Sequence, residues 1–282
     1  MSLPQATSIF TMPVLAEVGQ HDLERSARIL RARAGIVIGT HKHEMVARTL
    51  GLRTKGMGLR SVKEYLDHLE QNAHSPEWEA FVNAFTINHT AFFREQHHFD
   101  ILAKFAQTRK KPFSVWCCAA STGEEPYTIA MTLRESCPQP DVGVSILATD
   151  IDTRAIERAR EGVYSLERAQ PVPEDYLKKY FQRGTGRHAG MVRAKPSIRD
   201  MIEFDTFNLL SANWPTDRKF DAIFCRNTMI YFDKPTQTRI LERFAPVLKP
   251  GGLLFAGHSE NFTYLTQAFR LQGQTVYELA ER

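Results

Sequence analysis

The segment Ala119-Ala120-Ser121-Thr122-Gly123-Glu124-Glu125-Pro126 joins small residues, beside which a ligand can approach the backbone closely, to two carboxylates. Read as the turn after a strand, it has the outline of a nucleotide loop without the G-x-G-x-x-G spacing, and it sets acids where a dinucleotide would bring its pyrophosphate. That disfavours phosphate and suits an amine-bearing or cationic ligand; S-adenosylmethionine, with an ammonium and a sulfonium, is one. Asp150 stands 27 residues beyond Gly123, at the end of a second apolar run, where a carboxylate can accept hydrogen bonds from both ribose hydroxyls. Asp152 immediately precedes a helical pattern opening at Thr153 and reads as the helix cap. These signals describe a nucleoside-binding α/β domain and do not by themselves specify a reaction.

In open α/β sheets, ligands bind beyond the carboxyl ends of the strands. From Pro112 onward, short apolar runs at 114–119, 145–149, 202–207, 222–225 and 253–256, with a closing run near 275–279, alternate with helices expected at 126–136, 152–161 and 235–248. Pro126 suits the first position of its helix, and Pro250-Gly251-Gly252 marks the turn between the last long helix and its strand. The stretch from Gly162 to Asp200 is long for one α/β connection, and its glycine-rich, polar segment 183–190 marks a functional insertion. Upstream, residues 21–80 read as a small helical bundle, with Leu23, Ala27, Leu30 and Ala34, then Met45, Val46 and Leu50, then Val62, Tyr65, Leu66 and Leu69 at helical spacing. The boundary falls near residues 81–95. Residues 25–63 hold ten Lys or Arg (Arg25, Arg28, Arg31, Arg33, Lys42, Arg48, Arg53, Lys55, Arg60, Lys63) against one acid, Glu44, so a basic face lies on the bundle.

The 282 residues suffice for one large domain or two modest ones with a sizeable core. A hydrophobic content of 43% excludes a disordered chain, and 36 Lys+Arg against 32 Asp+Glu is too mild an excess for a nucleic-acid wrap. No apolar run approaches the roughly 18 residues of a membrane span. The first twenty residues lack a basic start and carry Pro4 and Pro13, so no secretory signal is expected and the chain is expected in the cytoplasm. Cys117, Cys118, Cys137 and Cys225 form no C-x-x-C pair and have no His at ligand spacing; they read as structural thiols, with no metal. Cys137-Pro138 reverses the Pro-Cys order of a cytosine-C5 methyltransferase nucleophile.

Five segments together resemble the CheR-type chemoreceptor glutamate O-methyltransferases: Asn88-His89-Thr90-Ala91-Phe92-Phe93-Arg94-Glu95, Ala120-Ser121-Thr122-Gly123-Glu124-Glu125-Pro126-Tyr127, Ala148-Thr149-Asp150-Ile151-Asp152, Phe224-Cys225-Arg226-Asn227-Thr228-Met229-Ile230-Tyr231-Phe232 and Gly257-His258-Ser259-Glu260-Asn261. The resemblance covers nearly the whole chain. It implies an α/β fold with a Rossmann-like class I methyltransferase sheet, an N-terminal all-helical domain over 1–85, and a methyltransferase domain over 86–282 carrying a small inserted antiparallel β-subdomain at about 162–200. It implies S-adenosyl-L-methionine as donor, S-adenosyl-L-homocysteine as product, no metal, and glutamate methyl esters on chemoreceptors as the outcome in chemotaxis adaptation. Cofactor contacts then fall on Asn88, Thr90, Arg94, Glu125, Asp150, Asn208, Leu209, Arg226 and Asn227, and Arg94 and Tyr231 form the active-site pair. The basic run between Arg25 and Lys63 is expected to dock the N-terminal domain on acidic receptor cytoplasmic helices, since complementary charge steers association. In a subset of the family the β-subdomain tethers a receptor C-terminal pentapeptide by strand addition, and Gly184-Thr185-Gly186 and Gly190 resemble that subset. The place of action would be the cytoplasm, at membrane receptor arrays, without nucleic acid or membrane insertion.

Methyl transfer to a glutamate needs no general base, because a carboxyl of pKa about 4.3 is already ionised at neutral pH. Catalysis then rests on holding oxygen, methyl carbon and sulfur in line and on stripping water from the nucleophile. Arg94 offers a fork of donors that holds a carboxylate without accepting a proton, and Tyr231 offers a hydroxyl. Phe92, Phe93, Phe224 and Phe232 read as packing, and His97, His98 and His258 as structural or solvated. A base-amine methyltransferase, which the pI of about 8.9 would suit, carries Asn/Asp-Pro-Pro-Tyr/Phe after its fourth strand; Arg226-Asn227-Thr228-Met229 stands here instead. A silent adaptor that keeps the cofactor fold is the rival of another class, and a labelled methyl-transfer assay separates the two.

Overall fold

Residues 16–109, 112–137 and 143–280 are described by the structure, a computed structural model. They fall into two units, Met1–Ile29 with Ile38–Phe85, and Leu30–Val37 with Thr86–Arg282. The first fifteen residues, on which the absence of a leader was partly read, and Pro138 beside Cys137 lie outside the described residues.

Helix α1 (Gln20–Ala34) opens the first unit and gives its last turn to the second; α2 (His43–Gly56), α3 (Val62–Gln71) and α4 (Glu77–Asn83) complete the first. Leu50, Tyr65, Leu66, Leu69 and Phe81 are fully buried, at the spacing of one helical face. Ser61 caps α3 by accepting the Glu64 N–H at 3.2 Å. The basic run is thinner than its composition. Arg53 donates to Glu77 at 2.5 and 2.8 Å, and the Tyr65 hydroxyl donates to the same buried carboxylate at 2.7 Å. Arg25 pairs with Asp67 and Glu70, and Lys63 with Asp67. Arg48 and Lys55 remain exposed and without an ion pair among the described residues.

In the second unit, α5 (His97–Thr108) leads into β1 (Phe113–Cys117), α6 (Glu124–Ser136), β2 (Val144–Asp150) and α7 (Thr153–Glu161). An insert follows: β3 (Val163–Ser165), α8 (Glu174–Tyr180), β4 (Phe181–Arg183), β5 (Met191–Ala194) and α9 (Pro196–Arg199). The main sheet resumes with β6 (Ile202–Thr206), β7 (Phe220–Cys225), α10 (Lys234–Phe244), β8 (Leu248–Ala256), β9 (Phe269–Gly273) and β10 (Val276–Leu279). Its order is β6-β2-β1-β7-β8-β10-β9; β6, β2, β1, β7 and β8 pair in parallel, and β10 runs antiparallel to both neighbours. The insert forms its own antiparallel sheet in the order β3-β5-β4. The α/β class, the N-terminal helices and the small antiparallel insert thus stand as expected.

Period two explains the layers. On β1, Phe113, Val115 and Cys117 face a core shared with α5, α6 and the insert, while Trp116 and Cys118 face the opposite core with Trp214, Phe220 and Phe244. All six residues of β7 are buried, as a central parallel strand requires. Cys117, Cys118 and Cys225 are buried free thiols.

Three local expectations need correction. Helix α6 starts two residues before Pro126, so proline occupies the third helical position, where its missing N–H still has no intrahelical partner. Helix α10 ends at Phe244 and passes through a 3-10 turn, Ala245–Val247. Pro250-Gly251-Gly252 is not a free turn: β8 already pairs at Leu248, and the triplet is absorbed as a register shift against β7, with Gly251 at φ 64°. Edge strand β9, with one buried residue, carried too little periodicity to be expected, and helix α5 was not expected although Phe99, Leu102 and Ala106 are buried at helical spacing.

Candidate functional site

Chain order reverses at β1: the helix after β1 leads to β2 and β6 on one side, and the chain returns to β7 on the other. The carboxyl ends of β1, β2 and β7 therefore bound the crevice where such sheets hold ligands.

After β1 the loop bends twice through positive φ, at Ser121 (48°) and Gly123 (98°). A Cβ at Gly123 would meet the Tyr164 hydroxyl at 2.7 Å and the Ala159 Cβ at 2.9 Å, so both the dihedral and the close approach demand glycine. The Ser121 N–H donates to Asp150 Oδ2 at 2.8 Å and the Asp152 N–H to Oδ1 at 2.9 Å. Ile151 adds a third backbone hydrogen bond, so main-chain donors orient the Asp150 carboxylate. Burial pushes the Asp150 pKa up to about 6, against those backbone donors. Asp152 caps α7 as expected, accepting from Arg154 N and Ala155 N at 3.0 and 3.1 Å. Its other oxygen accepts from Thr86 Oγ1 at 2.5 Å and Asn88 Nδ2 at 2.7 Å, and Asn88 Oδ1 accepts from Ser121 Oγ at 3.0 Å. Asn88 therefore ties the β1 loop to the β2 end.

The β7 end is an ion network. Arg226, 4% exposed, donates to Glu125 Oε2 at 2.5 Å, lies 3.1 Å from Glu95 Oε2, and donates to the Arg94 carbonyl at 2.6 Å. Burial opposes its charge, but Glu125 and Glu95 raise its pKa. Burial would likewise raise the Glu95 carboxyl, yet Arg226 holds it below its ordinary value. Glu125 is consequently not the bare acid that the loop sequence suggested: it stands in a buried pair, also accepting from the Cys117 thiol at 3.3 Å, and burial pushes that thiol's pKa up so that it is no nucleophile. His98 is structural, as expected: burial and Arg226 bring its pKa down to about 4, and its Nε2 lies 2.8 Å from the Gln274 carbonyl.

Glu260 stands in the last of the five resemblance segments, which imply no role for it, yet it holds the β7 end of the site together. Its buried carboxylate accepts N–H groups from Asn227 (2.9 Å), Met229 (2.7 Å), Ile230 (3.3 Å) and Gly257 (2.6 Å). This holds Asn227 at φ 56° and sets the 3-10 turn Met229–Tyr231 that presents Tyr231. A Cβ at Gly257 would come within 2.7 Å of Asn227 N. Glu95 was also overlooked; it accepts from His258 N at 3.2 Å. The available signal for both was a glutamate within a segment that carries the family resemblance.

Arg94 is half-buried, donates one bond, to the His89 carbonyl at 2.9 Å, and has no carboxylate partner among the described residues. Burial raises the Tyr231 hydroxyl's pKa while the Arg94 charge holds it back, which keeps the hydroxyl a protonated donor at neutral pH. The structure thus brings together Asn88, Asp150, Glu125, Arg226, Asn227, Arg94 and Tyr231. Thr90 is half-buried between Asn88 and Arg94, with no side-chain bond among the described residues. Asn208 and Leu209 lie on the loop after β6, whose Phe207 N–H donates to the Asp150 carbonyl at 2.9 Å; the Asn208 side chain accepts from Leu210 N and donates to the Arg33 carbonyl, and Leu209 joins the Trp116 core. Among the described residues no cluster of three His, Cys, Asp or Glu is arranged to hold a metal, and no helix is long and apolar enough to cross a membrane.

Residues 88–278 match the family described as CheR methyltransferase, SAM binding domain, and residues 21–86 its all-alpha domain. The chain is 51% identical to a chemotaxis protein methyltransferase of Klebsiella aerogenes over 91% of this chain and 89% of that one. It is 46% identical to the chemotaxis protein methyltransferase of Escherichia coli (strain K12) over 99% of both. With chemotaxis protein methyltransferase 2 of Pseudomonas aeruginosa it shares 47% identity over 93% of this chain and 94% of that one.

Proposed function

Because the chain belongs to the CheR methyltransferase family, we propose that it transfers the methyl group of S-adenosylmethionine to glutamate side chains of chemoreceptors, and that the crevice at the ends of β1, β2 and β7 is its active site. The observation that carries the choice of acceptor is Arg94, a guanidinium beside Tyr231 with no carboxylate of its own among the described residues. When bound, the donor supplies a methyl group on a positively charged sulfur. The residues present fit it: Glu95 and Glu125 share the single guanidinium of Arg226, which leaves one negative charge in excess, and Asp150 is a carboxylate held by backbone donors at the end of β2, suited to accept from ribose hydroxyls. Asn88, Thr90, Asn208, Leu209 and Asn227 are assigned to the remaining cofactor contacts.

Arg94 holds and orients the incoming carboxylate through charge-assisted hydrogen bonds, and the Tyr231 hydroxyl donates beside it. No residue has to take a proton, because the acceptor arrives ionised. Incubating the purified chain with methyl-labelled donor and chemoreceptor cytoplasmic fragments tests the reading, base-labile label on glutamate being the expected result. A folded chain that binds donor and labels nothing is the silent adaptor instead. Fragments with and without the C-terminal pentapeptide test a tether on an open edge of the β3-β5-β4 sheet, with faster labelling expected where the peptide is present.

Cofactor affinity should depend on Asp150. Ribose hydroxyls bind its ionised form, so protonation competes; with the pKa raised to about 6, the dissociation constant should rise as pH falls below that value, by at most about tenfold per unit for one proton. Calorimetry with S-adenosylhomocysteine between pH 5 and 8 reads this, and a flat profile removes Asp150 from the ribose.

Receptor docking is assigned to the exposed cations of the helical unit, in the cytoplasm at receptor arrays. On α2, Arg48 and Lys55 share a face with Met45 and Leu52, 40% and 50% exposed, a pattern suited to an acidic amphipathic helix. Reversing Arg48 and Lys55 to Glu should raise the apparent KM for receptor several-fold at low salt and less at high salt, with kcat retained. Unchanged receptor kinetics would mean a merely solvated face. Arg53 is no suitable probe, since its reversal would break the buried Glu77 pair.

A further inference from the structure

We propose that Arg168, in the turn that follows β3 of the insert, is a positioning residue for the cofactor loop, holding Thr122–Glu124 so that the neighbouring Glu125 and Ser121 keep their binding geometry. The inference rests on that loop being the cofactor site.

Glu124 is completely buried, yet it occupies the first position of α6 directly beside Glu125. One of its oxygens accepts from Thr122 Oγ1 at 2.7 Å, and the other is paired with the Arg168 guanidinium. Arg168 also donates to Thr122 Oγ1 at 3.0 Å, so one side chain clamps both ends of the turn. Tyr164 of β3 adds a hydroxyl bond to the Thr122 carbonyl at 2.8 Å, and Gly123, between the clamped residues, lacks a Cβ just where that hydroxyl passes. Three contacts therefore run from the first strand and turn of the insert to Thr122 and Glu124, the residues that flank Gly123 just before Glu125. The Arg168 turn is itself fixed, its N–H donating to Ser165 Oγ at 3.2 Å. Burial pushes the Glu124 carboxyl's pKa up even with Arg168 present, so without the guanidinium this carboxylate would be a buried charge lacking a counter-ion. The loop backbone would have to shift to hydrate it, moving the Ser121 N–H that orients Asp150 and the Glu125 carboxylate that anchors Arg226.

The test measures S-adenosylhomocysteine affinity by calorimetry, alongside thermal midpoints, for the full chain and its variants. Arg168→Ala should weaken binding about tenfold, raising KM for the donor and leaving KM for receptor unchanged. The double variant Arg168→Ala/Glu124→Gln should recover to within about threefold of wild type, because the neutral amide needs no counter-charge. Arg168→Lys keeps charge but loses the fork to Thr122 and should be intermediate; it serves equally if the alanine variant fails to fold. A single variant with a lowered midpoint but wild-type affinity would make Arg168 purely structural, and a double variant as weak as the single would show that it does not act through Glu124; either overturns the proposal. If wild type binds no S-adenosylhomocysteine, it is the cofactor reading that falls.

Discussion

Arg94→Ala is expected to lower methyl transfer about a hundredfold while leaving the fold intact, because a lost positioning contact at an in-line displacement costs on that order. The side chain makes one hydrogen bond, to the His89 carbonyl, and is only half-buried, so its removal leaves no buried orphan charge and should move the denaturation midpoint little. Tyr231→Phe, which deletes one hydroxyl and keeps the ring, should cost less. Turnover and unfolding are to be measured on the same preparations. A folded Arg94→Ala enzyme with undiminished turnover would remove Arg94 from the catalytic assignment, and with it the reason for expecting a carboxylate acceptor.

Arg226→Met should act on stability first. It leaves Glu125 and Glu95 buried without their cation, a loss of about 3–5 kcal/mol by the usual cost of breaking a buried pair. The effect is pH-dependent with a definite sign. Arg226 holds the Glu95 carboxyl below its ordinary 4.5, so this contribution is present above about that pH and fades as the carboxyl protonates below it. The gap between wild type and variant should therefore narrow in acid. Denaturant unfolding at pH 7 and pH 4 checks both statements; equal midpoints at pH 7 would mean that the network contributes nothing. Cofactor binding should be lost with the pair, since Glu125 then lacks the cation that fixes its position.

Local patterns carried much of the architecture. The β1 and β7 runs were legible because central parallel strands are buried on both faces, and Asp152 because an N-cap bonds within three residues. The acids at the ends of β1 and β2 were legible because a parallel sheet places strand ends at its ligand crevice. Edge strand β9 and the bulge at Pro250-Gly251-Gly252 were not, since one is mostly exposed and the other is defined only by its partner β7.

By itself the amino-acid order determined the α/β class, the helical start and the acids at the strand ends, because periodicity, capping and motif spacing are short-range properties of the chain, whereas the antiparallel insert and the other crevice residues were legible only through the family resemblance. Only the tertiary structure decided what those residues do to one another. Arg226 meets Glu125 across 101 positions, Glu260 gathers backbone N–H groups from two loops, and Arg168 reaches from the insert to Glu124. The physical reason is desolvation: a buried charge must find a counter-charge or several donors, and which group answers depends on chain closure in three dimensions, not on spacing along the chain.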